Sequence, residues 1–126
     1  MKSIFKVSLV LVVLLCAVNV FAQDPMTGKA QDFVSAMSRG DFQKAYLSLN
    51  SDLGFKVKPG DLQNKWSQIV SWAGKFVEFK DSKIENKNDY IIVTSVCKFE
   101  KGLVDVTVAL DSMGKVAGFN TQGHKA

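Results

Sequence analysis

Two hydrophobic rhythms divide the chain, with the change near residue 74. Before it, apolar positions recur at helical steps. Ala30, Phe33, Val34 and Met37 stand at i, i+3, i+4 and i+7, which is one face of a helix. Gly40 supplies a stop and Asp41 a cap for a second helix, where Phe42, Ala45, Tyr46 and Leu49 repeat the spacing. The Arg39-Gly40-Asp41 triplet between them is read as a corner that needs a glycine, ahead of an adhesive motif. Leu53, Phe55 and Val57 alternate over too short a stretch to assign an element. Pro59 suits a first helical turn, with Asp61 beside the positive helix end. Leu62, Trp66, Ile69, Val70 and Ala73 then trace a third apolar face, which Gly74 ends.

After Gly74 the period becomes two. Lys75 to Lys80 places Val77 and Phe79 on one side and Glu78 on the other. Asp81 to Asn88 is polar with only Ile84 as an anchor, so this first strand is expected to be long and bent. Residues 89 to 100 are rich in the β-branched and aromatic side chains that pleated surfaces favour. Gly102 makes a turn, after which Val104, Val106, Val108 and Leu110 alternate with Asp105, Thr107 and Ala109. Asp111 to Gly114 reads as a hairpin turn and Lys115 to Thr121 as a last strand. Turns this short impose antiparallel neighbours. The predicted architecture is therefore α+β, with about three N-terminal helices covering one face of a four-stranded antiparallel meander. Its core spans about residues 27–121, and residues 122–126 read as a loose tail.

The N-terminus follows neither rhythm. Lys2 and Lys6 precede an almost unbroken apolar run from Val7 to Val18, and Val20-Phe21-Ala22 closes it. A positive head, an apolar middle and small residues at the end make a secretory signal peptide, residues 1–22, with cleavage expected after Ala22. A transmembrane anchor is the first alternative, but Lys6 and Asn19 shorten the clean apolar core. A lipoprotein acylated at Cys16 is the second, and the bulky Leu15 before it argues against that. The expected product is one exported domain, residues 23–126, periplasmic or extracellular and without a stable membrane anchor.

Cleavage changes the composition that matters. Of the formal charge of +4, the loss of Lys2 and Lys6 leaves +2. One arginine, Arg39, and scattered lysines make no nucleic-acid footprint. Cys97 is left without a partner for an intramolecular disulfide and reads as a small buried hydrophobe. Candidate chemistry is sparse. His124 lies beyond the last expected strand, no His/Cys/carboxylate cluster has metal-ligand spacing, and no glycine-rich phosphate loop occurs. Asp105 alternates against apolar neighbours, which puts it on the solvent face of its strand. No catalytic residue, metal or cofactor is therefore assigned.

The order helix, Gly40-Asp41-Phe42, helix, then Trp66 followed by Gly74-Lys75-Phe76, resembles the domain of unknown function 3887 family. Gly114-Lys115-Val116-Ala117-Gly118-Phe119 is similar to that family's closing hairpin. The resemblance covers about Ala30 to Phe119. It implies a cystatin-like, nuclear transport factor two-like cone, in which a curved sheet wraps around helices. Members often precede a serine hydrolase domain, but this chain lacks a Gly-x-Ser-x-Gly elbow, so no hydrolase activity carries over. Cones of this kind often hold a cavity at the open end, for which Tyr46, Trp66, Trp72, Phe79 and Tyr90 are the candidate lining. The functional reading is a non-catalytic exported module that binds a protein partner or a small apolar ligand. Two alternatives stay open: a small lyase or isomerase using an aspartate buried inside the cone, and a homodimer formed through the open sheet face.

Overall fold

A computed structural model describes residues 24–125. The expected signal peptide and its cleavage site lie outside the described residues. Among those described, four helices precede four strands.

Helix α1, Pro25–Ser38, starts where Asp24 accepts a hydrogen bond from the Met26 N–H (2.9 Å) and Pro25 fills the first position. Its buried face is Ala30, Phe33, Val34 and Met37, as the spacing predicts, with Thr27 and Ala36 added. Gly40, at φ +79°, turns the chain, and Asp41 caps helix α2, Phe42–Leu47, through the Lys44 N–H (3.2 Å). Residues 51–56, left without an element by the pattern, form a further short helix, α3, Ser51–Lys56. Asn50 caps it, accepting from the Leu53 N–H at 2.9 Å. Less than two turns long, α3 buries none of its residues, so no hydrophobic period could reveal it. Helix α4, Pro59–Ala73, begins with the Lys58 N–H donating to Asp61 Oδ2 (2.8 Å) and buries Leu62, Trp66, Ile69 and Ala73.

Strands β1 (Phe76–Lys87), β2 (Tyr90–Phe99), β3 (Gly102–Leu110) and β4 (Val116–Gly123) form one open antiparallel sheet in sequence order. Its inner face carries Val93, Cys97, Phe99, Val104, Val106, Val108, Leu110 and Val116, each at most 1 % exposed, against the helices. The long β1 departs from simple alternation. Register shifts between Phe76 and Glu78 and between Phe79 and Asp81 put both Phe76 and Phe79 against the core. Val77, expected on the inner side with Phe79, is instead half exposed, because the irregularity resets the phase. The sheet also runs further than expected. β4 continues to Gly123 by pairing with Val104, so residues 122 and 123 belong to a strand rather than to a loose tail.

A contact between distant segments sets the geometry of one end. The link between α2 and α3 lies parallel to β4 at Leu49 and Val116. Val116 N–H donates to Ser48 O and Asn50 N–H to Val116 O, both at 2.8 Å. These bonds seat α3 next to the last strand.

Candidate functional site

The five aromatic residues expected to line one cavity are dispersed. Trp66 is buried and packs on Phe99, with centroids 5.7 Å apart. Phe99 meets Phe76 edge-on at 5.6 Å, and Phe76 meets Phe79 at 4.9 Å. Trp66 and Phe79 are thus joined through a filled aromatic chain, which serves packing. Tyr46, on α2, is half-buried against the core, and its hydroxyl donates to Gly54 O of α3 (2.7 Å). Trp72 and Tyr90 are 49 % and 44 % exposed. Trp72 borders a small hollow with Lys101 and Leu103 at the far end of α4.

A hollow of about 300 Å³ opens instead between α3, α4 and β4. Leu53 and Val57 form one wall, Leu62 the floor side of α4, and Gly118 and Phe119 the strand side. Phe33 holds Phe119 from within by an edge-to-face contact at 5.2 Å. Two charged residues of α4, Asp61 and Lys65, stand four apart and therefore on one side of the helix, at the groove. Asp61 is engaged in capping α4, as described above. The volume is at the lower end of what small-molecule sites use, and the lining is predominantly apolar with few polar groups. The sequence showed Leu53, Phe55 and Val57 only as an alternation too brief to assign. Only the seating of α3 on β4 turns Leu53 and Val57 into a wall.

A second hollow of about 220 Å³ lies on the opposite, outer face of the sheet. Asp81 and Asp105 both pair with Val96 from its two sides. His124 Nδ1 lies 2.7 Å from Asp105 Oδ1, and the His124 N–H donates to Leu103 O at 3.1 Å. The histidine read as a tail residue is therefore tied to β3. The register that pairs Asp105 with Gln122 makes this contact, and the spacing of 19 residues gave no sign of it. Both side chains keep partial contact with solvent (31 % and 19 % exposed), a setting in which such a pair stabilises by less than about 1 kcal/mol.

The lyase alternative required an aspartate inside the cone. Among the described residues the buried polar side chains are Thr27 and Ser95, and no Asp or Glu is buried. Asp105 faces away from the helices, so that alternative loses its catalytic residue. Cys97 is fully buried on the inner face, and burial, with the Asp105 charge second, pushes its thiol up to about 12. A thiol in that state is a packing group, not a nucleophile. No group of three or more His, Cys, Asp or Glu among the described residues could hold a metal ion. No helix among them is long and apolar enough to cross a membrane.

Comparison with solved structures returns an NMR structure of a protein from Ruminococcus gnavus. It superposes with a TM-score of 0.61 at 18 % identity, covering 79 % of this chain and 90 % of that one. At that identity the likeness speaks for the fold alone. Among curated proteins none matches the sequence. The family profile described as a protein of unknown function, DUF3887, matches residues 30–119, the same span over which the residue pattern resembles it. The chain belongs to the DUF3887 family.

Proposed function

We propose that the chain is an exported, non-catalytic binding module that takes a small apolar ligand in the groove between α3, α4 and β4. The observation that carries this reading is the groove itself: about 300 Å³, walled by Leu53, Val57, Leu62 and Phe119, at the edge of the hydrophobic core. Burying the faces of a small apolar ligand there would contribute about 25 cal/mol per Å² removed from water. No described carboxylate, histidine or thiol faces this space except Asp61, which caps α4. The groove is therefore suited to holding a ligand rather than transforming it. The expected signal peptide supports a role outside the cytoplasm, where small apolar molecules need carriers or receptors.

Titration with an uncharged apolar fluorophore such as N-phenyl-1-naphthylamine tests the reading. Saturable binding is expected, lost in Val57→Arg, which brings a charge into the wall, and retained in Phe55→Ser on the exposed side of the adjoining helix α3. Equal binding by Val57→Arg and the wild type, or no saturable binding at all, would refute it.

A further inference from the structure

Independently of the groove, one end of the molecule carries a surface that folding does not explain. The three most exposed large apolar side chains among the described residues are Phe55 (90 %), Met113 (81 %) and Leu47 (65 %). They come from three segments that the fold gathers together. Leu47 and Phe55 border one shallow hollow at the α2–α3 corner. Met113 sits in the turn between β3 and β4, which closes on that corner where Lys115 Nζ donates to Leu47 O (3.4 Å). The backbone bonds of Val116 to Ser48 and Asn50 hold the two parts in place. Because α3 buries no residue, Phe55 adds nothing to the core, and clustered exposed apolar groups of this size mark contact surfaces.

Lysines surround these side chains. Lys29, Lys44 and Lys115 border the hollow next to Met113, and Lys56 follows Phe55. The nearby carboxylates are Asp32, Asp52 and Asp111. Asp111 Oδ1 already accepts the N–H groups of Met113 and Lys115, each at 2.9 Å. The four lysines outnumber these three carboxylates, and lysine stems reach further than aspartate side chains, so this end carries a net positive charge. Protruding apolar groups ringed by ammonium groups fit a layered partner, apolar inside and negatively charged at its surface.

We propose that this end is a docking surface for an anionic lipid bilayer, with Phe55, Met113 and Leu47 entering the headgroup boundary and the four lysines meeting lipid phosphates. The contact is reversible adsorption, with no spanning segment involved.

Co-sedimentation of residues 23–126, which contain every described core residue, with phosphatidylglycerol and phosphatidylcholine vesicles tests it. Binding to phosphatidylglycerol at low salt is expected, at least about tenfold stronger than to phosphatidylcholine, and weakened as salt shortens the screening length. Phe55→Ser with Met113→Ser should lower the partition coefficient about tenfold or more. Lys44→Glu with Lys115→Glu should do the same. All four positions are exposed, so near-UV circular dichroism should stay that of the wild type. Val57→Arg, aimed at the groove, should leave vesicle binding intact, which keeps the two proposals separable. Absence of binding to phosphatidylglycerol, or a double serine variant that binds as the wild type does, overturns the inference. So does a concentration-dependent dimer that the serine variant abolishes without any vesicle binding, since the surface would then belong to a second copy of the chain.

Discussion

The junction from the helices into the sheet rests on Gly74, and replacing it with alanine gives a prediction whose parts can be separated. Gly74 has φ +84° and ψ −165°, a region essentially reserved for glycine, where another residue pays roughly 1–3 kcal/mol. A Cβ there would also stand 2.7 Å from Glu100 Cβ and 2.9 Å from Glu100 Oε1. Glu100 cannot yield freely. Its N–H donates to Lys75 O (2.9 Å), and its carboxylate accepts the Lys75 N–H (2.8 Å). Overpacking of a held neighbour adds about 1–3 kcal/mol, against which reduced freedom of the unfolded chain returns about 0.4–1 kcal/mol. Gly74→Ala should therefore destabilise by about 1–6 kcal/mol, centred near 3 kcal/mol. Two further alanines isolate the contributions. Gly40, at φ +79° with nothing within 4 Å of its would-be Cβ, should show the backbone cost alone, about 1–2 kcal/mol. Gly28, inside α1 with open space around it, should gain up to about 1 kcal/mol. Urea unfolding followed by circular dichroism orders the three, and each 1 kcal/mol should move Tm by about 4–8 °C in a domain of this size. If Gly74→Ala is no more harmful than Gly40→Ala, the Glu100 contact does not resist a side chain and that part of the reasoning fails.

Other expectations follow from burial. Trp66→Ala should cost about 3–5 kcal/mol because it empties a site packed on Phe99, whereas Trp72→Ala, half exposed, should change stability by less than about 1 kcal/mol; similar losses at both would contradict the packing described. Cys97 should resist iodoacetamide at pH 8 in the folded protein and react at once in denaturant. The folded thiol titrates near 12, above its ordinary 9.0, so the unfolded state loses its proton first as pH rises. That contribution to stability is complete below about pH 9 and disappears between about 9 and 12, which urea midpoints across that interval would reveal. Flat midpoints in a comparison of wild type with Cys97→Ala would remove the thiol from the account.

The sequence alone determined the elements whose periods are long and uninterrupted. The spacing of Ala30, Phe33, Val34 and Met37 and of Leu62, Trp66, Ile69 and Ala73 named the buried faces of α1 and α4. The alternation from Val104 to Leu110 named that of β3, because each core-facing position there follows a single geometric repeat. Short turns then left an antiparallel meander as the consistent topology. Where a repeat is broken or too brief, local pattern loses its meaning. The irregular register of β1 exchanged Val77 for Phe76 on the core side. The six residues of α3, too few to show an apolar period, are held by Asn50, by the contact of the preceding Leu49 with β4 and by Leu53 at the edge of the core. Every feature with a functional bearing lies in that second class. The groove wall, the tie between His124 and Asp105, and the meeting of Leu47, Phe55 and Met113 at one end each join residues far apart in the chain. Such meetings are made by strand register and by the docking of α3 on β4. They are tertiary decisions because the free energy that selects them is spread over the whole core rather than written at the residues concerned.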